Sequence, residues 1–130
     1  MKGLSLAGGP GNRWLRHGSA FAKLAFWLAL ALVLLLCLLP GQWLPPQAFS
    51  VWDKAQHTLT FAALTGLGLW AYPVEWRWRL MAGLLSFGAA IELLQAASGW
   101  RHGDGLDLLA NALGIVAAGA LASILRCPPR

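Results

Sequence analysis

The chain has 130 residues, which is the size of one domain, and 58% of them are hydrophobic while only 12% are charged. Soluble domains carry about 45–50% apolar and about 25% charged residues, and so small a core cannot hide the excess. This composition excludes an ordinary soluble domain and favours a membrane protein. The net charge of +5 would suit nucleic acid in a soluble protein, but the basic residues lie between apolar segments, so we expect no nucleic-acid partner.

Four apolar segments reach about the 20 residues that a helix needs to cross a bilayer, and each is followed by glycine or proline. We therefore predict an all-α membrane protein, a four-transmembrane-helix bundle with helices over 20–39, 52–72, 78–97 and 106–125. Residues 1–19 are predicted to form a flexible basic arm, and residues 126–130 a short basic tail. The first segment also resembles a signal peptide, but its length and the lack of a small-x-small cleavage site favour a retained helix.

The distribution of lysine and arginine predicts how the helices are oriented. If all four segments span, the N-terminus, the second loop and the C-terminus share one side and hold eight of the ten basic residues, whereas the opposite side holds only Lys54 and Arg101. Basic loops stay in the cytoplasm, so both termini are predicted to be cytoplasmic. Tryptophans near both predicted membrane surfaces agree with this arrangement, because tryptophan favours the interface.

Nine polar or ionisable residues lie where these segments reach the opposite, extracytoplasmic side. Charged residues near membrane helices are costly, face the bundle interior or water, and usually mark function. Their clustering on one side predicts a shared site, which we call the polar cluster. Its members are Asp53, Lys54, His57, Glu92, Gln95, Arg101, Asp104, Asp107 and Asn111.

Asp53 and His57 are four residues apart and therefore lie on one face of the second helix, with Lys54 beside them. A carboxylate at this spacing can orient an imidazole and raise its basicity, which suits a general base, a headgroup ligand or a salt bridge at the helix start. Glu92 stands among apolar residues, so it must be neutral, paired or hydrated. A direct role for it in binding or catalysis, and a tie between helices through His57 or Lys54, are both open.

The last four members of the cluster have helical spacings of three, three and four. These spacings predict that Asp104 caps the fourth helix and that Asp107 and Asn111 point into the bundle. Small residues recur every four positions on the third and fourth helices, which predicts that these helices pack along both rows and bring Asn111 towards Glu92. The two rows are Ala82, Ser86 and Ala90, and Ala110, Gly114 and Ala118.

The polar cluster holds four acids against two bases, a formal charge of −2 with His57 neutral, which favours a shared proton, a cation or a zwitterionic headgroup. A divalent metal on His57, Glu92 and Asp107 is an alternative without a metal-spacing motif, so we predict neither a metal nor a cofactor. The bases are predicted to hold a phosphate, and His57 to carry a proton. The predicted catalytic residues are His57, Asp53, Glu92 and Asp107. The predicted ligand-binding residues are Lys54, Gln95, Arg101, Asp104 and Asn111.

Three motifs in this order resemble the VanZ-like family of small bacterial membrane proteins. The motifs are Asp53-Lys54-x-x-His57-x-x-x-Phe61, Glu92-x-x-Gln95 and Arg101-x-x-Asp104-x-x-Asp107-x-x-x-Asn111-x-x-Gly114. The resemblance covers roughly residues 50–120 and also matches the order and spacing of the apolar segments. It implies a four-helix architecture, a bacterial inner (cytoplasmic) membrane location and an envelope-related role. The family's founding member is associated with low-level resistance to the glycopeptide teicoplanin, but the resemblance supplies no reaction.

We therefore expect a protein that binds, or also modifies, a membrane-lipid headgroup or a lipid-linked envelope precursor, with a contribution to glycopeptide resistance as a further implication of the resemblance. Whether it is an enzyme stays open. A non-catalytic accessory or scaffold subunit of a larger membrane complex would need no site. A small ion- or proton-coupled transporter would need a homo-oligomer, because the inner halves of the helices offer few polar groups.

Overall fold

The computed structural model describes residues 11–43 and 52–126, with side chains in 20–43 and 53–125. All regular structure in these residues is helical, with two 3-10 turns at Gly41–Trp43 and Val74–Trp76. The helices are α1 (Gly11–Leu38), α2 (Trp52–Ala71), α3 (Arg77–Ser98) and α4 (Gly105–Arg126).

The four predicted helices are confirmed, and their ends agree with the prediction to within one residue, except at the start of α1. Helix α1 begins at Gly11, inside the segment predicted as an arm. The first ten residues and 127–130, which include most of the predicted tail, lie outside the described residues.

Local chemistry sets the helix ends. Proline cannot continue a helix because it lacks the N–H and clashes with the preceding turn, and Pro40 and Pro73 follow α1 and α2 closely. Gly99 follows α3 with a φ of 78°, a left-handed conformation that glycine adopts without steric cost. Asp104 precedes α4, and its Oδ1 accepts a hydrogen bond of 2.9 Å from the backbone N–H of Leu106, so the predicted N-cap is confirmed.

The contacts between helices define their directions. Lys54 and His57 in the first turns of α2 contact Asp107 and Asn111 in the first turns of α4, so these two helices run parallel. In contrast, α1 runs antiparallel to α2, because Phe26 stacks edge-on against Tyr72 just past the C-terminal end of α2. Helix α2 packs against all three other helices, and most closely against α4.

Three helical stretches are long and apolar enough to cross a membrane: Ala20–Leu38, Val74–Ser98 and Gly105–Leu125. Only between 11% and 28% of each is buried inside the protein, so most of their apolar surface faces outward, as lipid exposure requires. Helix α2 is not among them because its first two turns are polar. The structure therefore indicates a membrane protein with three candidate spans, and α2 differs from them in its polar first two turns.

The core of the bundle lies directly below the polar cluster. Phe61 and Leu64 of α2 are 1% and 2% exposed, and Ile91 of α3 and Ile115 of α4 are equally enclosed. Since these large apolar side chains come from three helices, they fix the spacing at which the polar residues above them meet.

The predicted rows of small residues are wrong in their partners. Gly114 packs against α2 rather than α3: a Cβ added there would overlap the carbonyl oxygen of Thr58 and lie 3.0 Å from the backbone nitrogen of Ala62. Helices α3 and α4 do pack together, but the row on α3 is exposed. Spacing alone groups residues on one face of a helix without saying which neighbour that face meets. The exposed row is Ala82, Ser86 and Ala90.

We expect Gly114→Ala to destabilise the protein by about 1–3 kcal/mol, because the added methyl group forces α2 and α4 apart against backbone atoms that cannot rotate away. The measurement is the melting temperature of the purified protein in detergent. Gly66→Ala and Gly83→Ala are matched controls, since a Cβ at either position meets nothing within 4 Å. They should leave the melting temperature unchanged or raise it, because alanine favours helix over glycine. An equal response of all three variants would contradict the close α2–α4 contact.

Candidate functional site

The structure brings the nine residues of the polar cluster to one end of the bundle. There the N-terminal ends of α2 and α4 meet the C-terminal ends of α1 and α3. Four of the nine residues are buried, although polar and charged side chains usually lie at the protein surface. They are Glu92, Gln95, Asp107 and Asn111.

Lys54 connects the first turns of α2 and α4. Its Nζ donates to Asp104 Oδ2 at 2.7 Å and to Asp107 Oδ1 at 2.8 Å. The side chain of Asp107 is only 9% exposed, so this carboxylate depends on the ammonium group for charge compensation. The hydrogen bond from Lys54, followed by that from the Leu106 N–H, lowers the pKa of Asp104 below its usual range. The predicted phosphate-holding role of Lys54 thus competes with two internal carboxylates.

His57 is held by the fully buried amide of Asn111. The distance from His57 Nδ1 to Asn111 Oδ1 is 3.1 Å, and a carbonyl oxygen can only accept, so Nδ1 carries the proton of this bond. The other ring nitrogen, Nε2, lies 3.8 Å from Asp53 Oδ1 and 3.8 Å from Asp107 Oδ2. The predicted placement of Asp53 and His57 on one helix face is confirmed. Both distances exceed hydrogen-bond length, so the ring edge faces two carboxylates without bonding directly to either.

Glu92 ties α3 to the start of α4. Its Oε2 accepts a hydrogen bond of 2.9 Å from the backbone N–H of Asp104, whereas Oε1 is buried and has no hydrogen-bond partner among the described residues. Glu92 therefore links two helices, as one of the two predicted roles required. Its partner is the backbone N–H of Asp104 rather than the predicted His57 or Lys54. The predicted approach of Asn111 to Glu92 takes another form, since Asn111 Nδ2 lies beside Gly88, one turn below Glu92 on α3.

Gln95 and Arg101 bind the C-terminal end of α1. Gln95 Nε2 donates to the carbonyl oxygen of Cys37 at 2.9 Å, and Arg101 reaches the carbonyl oxygens of Leu39 and Leu36 at 3.4 and 3.5 Å. The last carbonyls of a helix lack partners within the helix and carry its negative dipole end, so donors and a cation stabilise them. These two predicted ligand-binding residues therefore also hold α1 in place.

A cavity of about 320 Å³ lies between α1, α2 and α3 at this end of the bundle, and we call it the site cavity. The residues of α1 in its lining are mainly apolar, and most of the others are polar. Sequence reasoning missed Gln56 and Thr60 as part of it, although their spacings of three and seven from Asp53 place them on the same helical face. The lining residues are Val33, Leu36, Cys37, Asp53, Gln56, His57, Thr60, Phe61, Gln95 and Arg101.

One group of side chains has a geometry that could hold a metal ion. Asp53, His57 and Asp107 each offer one ligand atom, and these three atoms lie within 4.8 Å of one another. The sequence-based alternative named Glu92 in place of Asp53. Glu92 is not part of this group, and its Oε2 accepts a hydrogen bond from the backbone of Asp104 instead.

No protein-family model, curated protein or solved structure matches this chain. The VanZ-like resemblance therefore rests on the motif residues and their spacing alone.

We expect Asp104→Ala to lower the melting temperature more than Asp104→Asn. Asparagine still accepts the hydrogen bond from Leu106 but loses the charge that pairs with Lys54, whereas alanine loses both. Glu75→Gln, a change of an exposed carboxylate at the opposite end, should have no effect.

The same variants have an expected pH dependence. Because the pKa of Asp104 is lowered in the folded protein, its ionic contribution is complete above the unfolded pKa of about 4 and is lost as the pH falls through the folded value. The difference in melting temperature between the wild type and Asp104→Asn should therefore be constant near neutral pH and shrink in acid. A difference that persists unchanged at the lowest pH would rule out the ion pair as its cause.

Proposed function

We propose that this chain is a VanZ-like protein of the bacterial inner membrane that crosses the bilayer four times, with both termini in the cytoplasm and the polar cluster outside. The parallel arrangement of α2 and α4 supports this topology. If both helices cross the membrane in the same direction, α3 between them must cross it in the opposite direction. Helix α3 is long and apolar enough to do so. The excess of basic residues on the other side supports the orientation.

The function that the site supports best is binding of a phosphate-bearing headgroup, carried by a membrane lipid or a lipid-linked envelope precursor. The observation that carries this proposal is the mixed character of the site cavity. Val33 and Leu36 of α1 contribute apolar surface to its lining, while Asp53, His57 and Arg101 contribute polar surface. An amphiphile at the membrane surface presents the same two chemistries side by side, and pockets bind ligands by burying apolar surface around a few polar groups.

The polar side chains of the site cavity have separate roles in this proposal. Arg101 lines the cavity and supplies a cation with several N–H groups, the chemistry that phosphate oxygens prefer. His57 presents Nε2 as a proton carrier beside Asp53, which would serve any modification of the bound headgroup. A role in glycopeptide resistance would follow from occupancy of this site by an envelope precursor, and it rests on the resemblance.

The interior below the site favours a surface-binding function over transport. Phe61, Leu64, Ile91 and Ile115 fill the bundle beneath His57 and are at most 3% exposed. Thr65, the buried polar side chain at that depth, donates to the carbonyl oxygen of Phe61 at 2.7 Å. Among the described residues, no chain of polar groups continues from the site to the other end.

The topology is tested with single cysteines and a membrane-impermeant thiol reagent on intact cells. In a background with Cys37→Ala and Cys127→Ala, we expect His102→Cys to react, because residue 102 lies exposed beside the polar cluster. Glu75→Cys, exposed at the opposite end, should react only after the membrane is permeabilised. Labelling with the reverse preference would contradict the proposed orientation.

Headgroup binding is tested with the purified full-length protein in detergent and two probes, phosphatidylglycerol and a long-chain polyprenyl phosphate, against a diacylglycerol that lacks phosphate. We expect both phosphate lipids to bind and the diacylglycerol to bind weakly. Val33→Trp should weaken binding at least tenfold because it fills the site cavity. Leu32→Trp, the adjacent and exposed position on α1, is the matched control and should bind normally. Arg101→Gln should also lose about tenfold or more, as expected for a hydrogen bond to a charged group.

Equal binding by Val33→Trp and Leu32→Trp would place the lipid elsewhere on the protein and overturn the proposal. This comparison holds even if Arg101→Gln fails to fold through the loss of its contacts with α1.

A further inference from the structure

The edge of the His57 ring faces two carboxylates at distances that suit ligands of one ion. Nε2 lies 3.8 Å from Asp53 Oδ1 and 3.8 Å from Asp107 Oδ2, too far for hydrogen bonds. Two ligand atoms each about 2.1 Å from a tetrahedral metal ion are about 3.4 Å apart. The two distances from Nε2 exceed this spacing by only a few tenths of an ångström, and all three ligand atoms lie within 4.8 Å of one another.

A second observation comes from a neutral residue, Asn111. This amide is fully buried and uses its oxygen to accept from His57 Nδ1, although its Nδ2 then has no hydrogen-bond partner among the described residues. The bond fixes the ring so that Nε2 points towards Asp53 and Asp107. An Nε2 lone pair that faced two carboxylates would be unfavourable, and a metal ion between the three atoms would remove this repulsion. Metal-binding histidines are held in this way, with the second ring N–H donating to an oxygen outside the coordination sphere.

The charges around His57, Asp53 and Asp107 also favour a bound cation. Lys54 pairs with Asp107 through Oδ1 and with Asp104, so Oδ2 of Asp107 remains directed at the ring of His57. Over the whole polar cluster the formal charge is −2 with His57 neutral. One divalent cation would cancel this charge in surroundings where an uncompensated carboxylate is costly.

We propose that Asp53, His57 and Asp107 form a binding site for one divalent transition-metal ion of the Zn²⁺ or Mn²⁺ type. The imidazole ligand and the small number of protein ligands favour such an ion over Ca²⁺ or Mg²⁺, which prefer oxygen ligands and higher coordination numbers. Asn111 acts on the ion through His57 and is a positioning residue.

The ion would lie at the wall of the site cavity, because Asp53 and His57 both line it. A metal with three protein ligands keeps at least one position for an exogenous ligand, here a water molecule or a phosphate oxygen. Coordination of a headgroup phosphate rests on the proposed function, whereas binding of the ion itself does not. Nε2 of His57 cannot hold a proton and the ion at once, so bound metal would replace its role as a proton carrier.

The experiment uses the full-length protein, purified in detergent through a tag without histidine, stripped with a chelator and loaded with Zn²⁺ or Mn²⁺ alone. Bound metal per chain is measured by elemental analysis, and affinity by competition with a coloured chelator. We expect one ion per chain. Asp53→Asn, His57→Gln and Asp107→Asn should each weaken binding at least tenfold, and Asn111→Ala by about 10–100-fold. The matched controls, His102→Gln and Glu75→Gln, remove a histidine and a carboxylate outside the site and should not change binding.

Absence of bound metal in the wild type, or equal loss in the site variants and their controls, would overturn the proposal and leave protonation of His57 as the means of charge compensation. If Asp107→Asn fails to fold because Lys54 loses its partner, Asp53→Asn still decides the question, since Asp53 is more exposed and contacts His57. A protein that binds the ion but neither phosphate lipid would overturn the proposed function alone. Lipid binding without metal binding would overturn the ion site alone.

Discussion

The polar cluster depends on the close approach of α2 and α4. Where Gly114 meets the backbone of Thr58, the two helices come closer than any side chain would allow. Because these helices run parallel, each residue of α2 lies beside a residue of α4 at a nearly constant sequence separation. The bonds between them join residues 52 to 54 positions apart. The Thr58 hydroxyl lies 3.1 Å from the carbonyl oxygen of Ala110, a direct bond from α2 to the α4 backbone. Hydrogen bonds tolerate only small changes in length, so widening this contact would disturb the bonds of Lys54 and His57 together.

The polarity of α2 follows from its central place in the bundle. A helix that faces lipid must be apolar over most of its surface, but α2 packs against the other three helices and can carry polar residues that meet protein groups instead. The outward face of α2 is nevertheless apolar, since its exposed positions form a helical row of apolar or small residues. The average hydropathy of α2 therefore hides the apolar character of its exposed face. The exposed row is Leu59, Ala63, Gly66 and Trp70.

Local signals in the sequence predicted the positions of the helices but not the hydrogen-bond partners of many polar side chains. Prolines, Gly99 and the Asp104 cap act within a few residues of their own position, so they fixed most helix ends to within one residue. The i, i+4 spacing likewise placed Asp53 with His57. The partners of Glu92, Gln95 and Arg101 are backbone groups, and every residue type carries the same backbone donors and acceptors, so no pattern of side chains could identify them. The rows of small residues failed for a related reason, because periodicity defines a face but not the helix that it meets.

The partners divide the polar cluster into a framework and a smaller exposed set. Lys54, Asp104 and Glu92 bind each other or the backbone at the start of α4, and Gln95 holds the end of α1. These contacts lock the four helix ends together and use up the polar groups that make them. Three charged or ionisable members of the cluster line the site cavity, namely Asp53, His57 and Arg101. The framework groups could bind a ligand only by breaking an internal bond, whereas the groups that line the site cavity border open space. A small protein can hold such a set in place only because most of its polar residues serve to position the few that face outward.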